Sequence, residues 1–288
     1  MMTKPEQSLR DLLECLGLER REPDLFRGHG QPTHNGRIFG GLVFAQAMRA
    51  GQTTVDGRDV HSAHAYFLRP GDPELPIEYE VDRIRDGRSF ATRRVVARQD
   101  GQAIFNLSMS FHKWEPGASR QIDTEISGEP EGEPYEDGIR RTLKASGVSL
   151  SAEQFGFGPI EILVEGGLSM DADPPRPPEL QAWFRSRGPL PDEPGLHAAI
   201  LAYASDQTIV VSALHPMEFG LMSSGVQSAS VDHAIWFHEP FRMDDWILAV
   251  HDSPVLKNSR ALGRALFYTR DGRLVASAIQ EGLVRRHT

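Results

Sequence analysis

Residues 66–70, Tyr66-Phe67-Leu68-Arg69-Pro70, are answered by Trp236-Phe237-His238-Glu239-Pro240, and 236 − 66 = 170. A second pair lies downstream. Arg93 to Gln102 (RRVVARQDGQ) answers to Arg264 to Arg273 (RALFYTRDGR), which carries the Asp100-Gly101 turn onto Asp271-Gly272, 171 residues later. Self-similarity at one long period indicates a folding unit that has been duplicated and fused. Fused copies diverge, so a polar residue that only one copy holds becomes a candidate for chemistry.

Working outward, Gly36-Arg37-Ile38-Phe39-Gly40-Gly41 leads into LVFAQAMRA, apolar nearly all round, which predicts a buried helix. Strands are expected near 60–69, 77–84, 89–98 and 103–112, joined by turns at Pro70-Gly71-Asp72, Asp86-Gly87 and Asp100-Gly101. In the last of them Phe105, Leu107, Met109 and Phe111 alternate with Asn106, Ser108 and Ser110, so one face packs and the other is wetter. The same order recurs, with a helix from Leu196 to Ser205 and strands near 229–239, 246–253, 260–269 and 274–284. An antiparallel meander curled round one apolar helix buries that helix completely. The reading is therefore an α+β double hotdog: one unit over 1–114, a linker over 115–159, and a second unit over 160–288 that carries the chemistry. The linker is rich in Glu, Gly, Pro and Ser and is expected to hold one short helix near 139–146. Strand-like segments at 160–164 and 180–186 flank Asp173-Pro174-Pro175-Arg176-Pro177-Pro178, and a strand is expected around Asp24 to Arg27. Leu9, Leu12, Leu13 and Leu16 form the stripe of an N-terminal helix rather than a signal-peptide core.

Bulk properties narrow the function classes. With 39% hydrophobic and 25% charged residues, the 288-residue chain is ordinary globular protein with enough apolar material for a large core. The formal charge of −9 argues against non-specific nucleic-acid binding. No apolar run reaches the roughly 18 residues of a membrane span, so no stable membrane association is expected. Cys15, the only cysteine, can form no internal disulfide and no multi-cysteine zinc site. No metal or cofactor is implied, and the cytoplasm is the expected compartment, the ending His287-Thr288 not matching a peroxisomal signal. Two basic stretches stand out: Arg83, Arg85, Arg88, Arg93, Arg94 and Arg98, and then Lys257, Arg260, Arg264, Arg270 and Arg273. They read either as solvated strand faces or as docking surface for a phosphorylated ligand such as coenzyme A.

At GRIFGGLVFAQA, HAYFLRPGD, YASD, VDHAIWFHEPF and VASAIQEG the sequence resembles the acyl-CoA thioesterase II (TesB-like) family of double-hotdog enzymes. The resemblance covers nearly the whole chain except the linker. It implies hydrolysis of medium- or long-chain fatty acyl-CoA to free acid and coenzyme A, and assembly as a homodimer or homotetramer. In that family an Asp, a Thr and a Gln hold the attacking water. By motif these fall on Asp206, Ser230 and Gln280, the serine being a departure that keeps the hydroxyl and loses the methyl.

The residues also argue for themselves. Gln280 falls opposite Met109 in the repeat (280 − 109 = 171), in the inward column of its strand, where an unpaired amide would cost about 1–3 kcal/mol. It is either an internally satisfied glutamine or part of a site. Asp206 shares a helical face with Ala199 and Tyr203, which leaves a buried general base or a frayed helix end. Ser230, on spacing alone, is a plain sheet serine as readily as a site residue. The counterparts of the three in the first copy are about Gly51, Val60 and Met109, none of which handles a proton, so one active site per chain is expected. Gly40 and Gly41 offer either oxyanion-binding N–H groups at a helix N-terminus or merely close packing. A serine hydrolase is disfavoured because no G-x-S-x-G is present, and P-loop, G-x-G-x-x-G and H-E-x-x-H patterns are also missing. His61 and His64 are sheet histidines or, in a hotdog enoyl-CoA hydratase, the acid/base partner of an Asp. A non-catalytic acyl-CoA-binding module is the other alternative.

Overall fold

The computed structural model describes residues 4–31, 36–122, 126, 129–145, 158–168, 170, 171 and 174–287; Asp173 of the expected Pro-rich turn lies outside them. The first copy runs α1 (Lys4–Leu16), β1 (Glu19–Glu22), β2 (Leu25–His29), α2 (Gly40–Gln52), β3 (Asp59–Phe67), β4 (Pro76–Asp86), β5 (Phe90–Gln99) and β6 (Gln102–His112). After β7 (Glu133–Pro134) and α3 (Tyr135–Ala145) come β8 (Ile160–Val164), β9 (Glu179–Ser186), α4 (Pro194–Ser205) and β10 (Val226–Ser230). The chain closes with β11 (Asp232–Phe237), β12 (Ile247–Lys257), β13 (Arg260–Thr269) and β14 (Leu274–Arg286).

Among the described residues these strands make one 14-stranded sheet, in which the order β2-β4-β5-β6-β3 recurs as β9-β12-β13-β14-β11. The copies join where β3 pairs antiparallel with β11. There His64 faces Ala234, and 64 + 170 = 234, so a residue meets its own counterpart and a local two-fold passes through the seam. The fold is a double hotdog of two fused units.

Each copy wraps an apolar helix. Ala45, Ala47, Met48 and Phe44 of α2 are fully buried, as are Ala199, Ile200, Leu201 and Ala202 of α4. The one polar side chain in the middle of α2, Gln46, is satisfied on both ends: its Nε2 donates to the carbonyls of Cys15 and His29, and its Oε1 accepts from the Tyr79 hydroxyl. The helices pack against each other antiparallel. Arg49 and Gln52 near the C-terminus of α2 bond Glu193 and the Gly195 carbonyl at the start of α4, while Gly41 at the N-terminus of α2 lies against the Tyr203 carbonyl near the end of α4.

Strand pairing corrects the repeat by one residue. Arg93 faces Met109 and Gly263 faces Gln280, so Arg93 corresponds to Gly263 (263 − 93 = 170) and Arg94 to Arg264. The turns absorb the difference. Asp100 and Gly101 both have positive φ, which is the two-residue hairpin turn matched to strand twist; in the second copy only Gly272 does, in a turn one residue longer, while the bulge beside it is common to both copies, at Ala97/Arg98 and Phe267/Tyr268. The basic stretches are also not simply solvated faces. Arg93 is only 1% exposed, and Arg83, Arg98, Arg260, Arg264 and Arg273 are each ion-paired with a carboxylate.

A bulge between Val60 and Ser62 puts His61 and His64 on the outer face of the sheet. His61 bonds Ser110 at 2.8 Å, and His64 lies edge-on to Trp236 at 4.9 Å. Both are turned away from the helices.

Candidate active site

Asp206 follows the last residue of α4 as its C-cap. Two glycines set its height above the sheet. A β-carbon on Gly263 would overlap the Ile209 carbonyl, and one on Gly282 would crowd Val210 at 3.0 Å, so the chain leaving α4 lies directly on β13 and β14. Thr208 in that stretch bonds Nε2 of His251 at 2.9 Å, while Nδ1 of the same ring bonds the Leu180 carbonyl at 3.0 Å. Burial pushes the His251 imidazole down to about 4, so the ring is neutral, with Nδ1–H donating and Nε2 accepting. The loop is thereby pinned from both sides, and Asp206 hangs over Gln280.

Gln280 points inward from β14 and is 1% exposed. Its Nε2 donates to Asp206 Oδ1 at 2.5 Å and to Ser230 Oγ at 3.0 Å, and Ser230 Oγ donates to the same Oδ1 at 3.2 Å. Ser230 reaches this point because β10 lies on β14 with Ser230 opposite Gly282. One carboxylate oxygen thus takes two hydrogen bonds. The other, Oδ2, lies by Gly40, where a β-carbon would be 3.0 Å from it. Gln280 Oε1 is buried and without a hydrogen-bond partner.

Gly40 belongs to the first copy, so the carboxylate at the negative end of α4 faces the positive end of α2. The first N–H groups of a helix have no acceptor within it, which makes the α2 terminus a donor site at the carboxylate. Close approach requires glycine: a β-carbon on Gly41 would stand 2.6 Å from the Tyr203 carbonyl. Gly41→Ala is therefore expected to push the helices apart, costing about 1–3 kcal/mol of stability and more than tenfold in turnover. Thermal melting and steady-state kinetics on the one variant check both effects.

A cavity of about 710 Å³ opens beside the cluster, lined by Gly40, Asp206, Ser230 and Gln280 at one place and elsewhere by apolar side chains together with polar ones such as Gln31, Arg37, Glu136 and Gln207. The linker contributes a wall. Tyr135 and Ile139 of α3 line the cavity, and a poorly exposed ion pair, Arg187–Glu136 at 2.6 Å, docks that helix. Burial first, then the charges of Glu136 and Asp206, push the Tyr135 phenol up to about 12, and burial likewise raises Tyr203. Both hydroxyls are neutral donors. Of the residues singled out from sequence, Asp206, Ser230, Gln280, Gly40 and Gly41 come together. Arg260 does not: it is half exposed, ion-paired with Glu281 at 2.8 Å and outside the cavity lining.

Sequence reasoning missed His233, which is completely buried on β11 with Nδ1 at 3.7 Å from Asp206 Oδ1. The signal was there in the period of two, since His233 and Ile235 alternate with Ala234 and Trp236 as the inward column. It also missed Tyr135, because nothing in a Glu- and Pro-rich linker marks which turn will reach a cavity.

In the first copy the corresponding place is closed. Gly51 matches Asp206 (206 − 51 = 155) and Met109 matches Gln280, and a β-carbon on Gly51 would overlap Cε of Met109. The thioether occupies the space that the carboxylate takes in the second copy.

Residues 29–112 match the acyl-CoA thioesterase N-terminal domain family, and residues 176–283 match the acyl-CoA thioesterase family. The chain is 34% identical to acyl-CoA thioesterase 2 of Haemophilus influenzae, over 96% of this chain and 98% of that one. It is 36% identical to acyl-coenzyme A thioesterase 8 of Mus musculus, over 96% and 90%. The crystal structure of an acyl-CoA thioesterase II, TesB2, from Mycobacterium marinum superposes with a TM-score of 0.78 at 36% identity, over 96% of this chain and 99% of that one.

Proposed function

The chain belongs to the acyl-CoA thioesterase family, and on that premise we propose that it hydrolyses medium- and long-chain fatty acyl-CoA at Asp206, Ser230 and Gln280. The observation that carries this reading is the shared oxygen: Asp206 Oδ1 receives both Gln280 Nε2 and Ser230 Oγ, leaving Oδ2 at the cavity to take a proton. Water held by the three attacks the thioester carbon as Asp206 accepts its proton. The oxyanion that develops meets the N–H groups of Gly40 and Gly41 at the positive end of α2. When the C–S bond breaks, the thiolate of coenzyme A leaves and recovers the proton. Each chain has one such site, since Gly51, Val60 and Met109 offer no proton acceptor.

The apolar wall supports a fatty chain as the acyl group. Ile139, Ile160, Ile162, Met170, Leu221 and Met222 line it, and a cavity of about 710 Å³ lies well inside the range of enclosed ligand sites. We keep Arg260, opposite the cavity-lining Leu283, as a contact for the coenzyme A phosphates, to be gained by exchange with Glu281. The same reading makes the enzyme a cytoplasmic homodimer or homotetramer.

Free-thiol release measured from butyryl- to stearoyl-CoA tests the proposal. The expected optimum lies at medium or long chains, and Ile162→Trp, which fills the apolar wall, should move it shorter by several carbons. Binding without thiol release would leave a carrier module in place of an enzyme, and hydration of crotonyl-CoA would leave a hydratase.

A further inference from the structure

We infer that His233 is a positioning residue that acts through Asp206, taking up at Nδ1 the proton that Asp206 removes from water; this rests on Asp206 being the base. The tautomer follows from hydrogen-bond directions. Ser205 Oγ lies 3.1 Å from the Ala202 carbonyl and 3.2 Å from the imidazole; with its single proton on the carbonyl, it accepts from the ring. Nε2 of His233 therefore carries a hydrogen. Nδ1 is left as a bare acceptor, buried, without a hydrogen-bond partner, and 3.7 Å from the carboxylate oxygen Oδ1. Two acceptors facing each other in a dry interior repel, and one added proton turns the contact into a bond.

Gln280 on β14, which bonds the same Oδ1, holds a buried neutral Oε1 without a partner, and the other elements packed on the ring bring no second charge among the described residues. α2 presents the Phe44 ring at 5.2 Å, and β3 presents Ala65. Asp232, the sequence neighbour, directs its Oδ1 to the Glu281 N–H at 2.9 Å. Among the described residues, Asp206 is the charged group that faces the ring.

The repeat supplies a second, independent argument. Ser205, Asp206 and His233 correspond in the first copy to Ala50 (205 − 155), Gly51 (206 − 155) and Ala63 (233 − 170). Each position there is filled by a residue without a polar side chain, and Ala50 and Ala63 are fully buried. A histidine needed only for packing would have no reason to appear together with the serine that fixes its tautomer and the carboxylate that it faces.

The proton balance closes over one turnover. One O–H bond of water breaks as its oxygen bonds the acyl carbon; the proton goes to Asp206 Oδ2, and rotation of the carboxyl group carries it to Nδ1. The imidazolium then donates to the carboxylate and to Ser205 Oγ. Breaking of the C–S bond leaves a thiolate, which takes the proton back by way of Asp206, and the ring is neutral again.

Kinetics of thiol release as a function of pH test this with His233→Gln, Ser205→Ala and Asp206→Asn. His233→Gln removes the second acceptor. Ser205→Ala installs the alanine that the other copy carries at this position, and it frees the ring to turn its hydrogen toward Asp206 before the reaction begins. In both variants kcat on the pH plateau is expected to fall about tenfold or more with KM unchanged. A plateau kcat as in the wild type in a folded Ser205→Ala or His233→Gln protein, with Asp206→Asn inactive, would overturn the role of His233 and leave the base in place. An active Asp206→Asn enzyme would overturn both. Should His233→Gln fail to fold, Ser205→Ala decides alone.

Discussion

Asp206→Asn is expected to lower kcat for thiol release by about 10²–10⁴-fold while the protein melts at or slightly above the wild-type temperature. The substitution preserves volume, and the amide oxygen can still accept from Gln280 and Ser230, so the geometry has no reason to collapse. What disappears is the proton acceptor. Asp206 is also almost completely buried, its side chain 3% exposed, and removing a buried charge carries no intrinsic penalty for folding. Loss of activity with loss of fold would point to a structural carboxylate; turnover within a few-fold of wild type would remove Asp206 from the chemistry.

The second large effect lies in the first copy. Arg93→Met should destabilise the protein by about 2–4 kcal/mol, lowering Tm by roughly 5–10 °C, with kcat at low temperature unchanged. The guanidinium is buried and donates to Thr54 Oγ1, to the carbonyls of Thr54, Arg85 and Thr92, and to Asp86. Asp86 is more than half exposed, so the ion pair itself is screened and contributes little. The cost comes from the carbonyl groups left without donors. Arg93 and Thr54 occupy the places that Gly263 and Ile209 hold in the second copy (263 − 93 = 170, 209 − 54 = 155), so one junction is closed by a long cation and the other by the absence of a side chain. Calorimetric melting settles the size of the effect, and an unchanged Tm would mean that water satisfies those carbonyls.

The architecture was readable because its signals are periodic. A helix apolar on every side has only one place to go, and the alternation from Phe105 to Phe111 reports its buried face residue by residue. Asp206 and Gln280 could be singled out because each is polar where its counterpart in the repeat is not. Other features follow from contacts that one strand cannot announce. The one-residue slip between the copies depends on which hairpin turn forms. The burial of Arg93 depends on a helix end that lies 39 residues away in sequence. His233 was passed over for His61 and His64, which a bulge turns outward, because histidines on one strand draw notice and a single buried one does not. The reach of α3 to the cavity depends on its docking through Glu136 and Arg187.

The close approach of Gly41 to the Tyr203 carbonyl decides which halves can work as partners. Its counterpart in the other copy is Leu196 (41 + 155 = 196). Two later halves associating with each other would bring a leucine to the point where the carbonyl tolerates no β-carbon, and two earlier halves would bring no carboxylate at all. On the proposed assignment of Asp206, only the unlike pair carries a working site. Joining both on one polypeptide therefore fixes a one-to-one stoichiometry and rules out the two sterile combinations that separate subunits would sample.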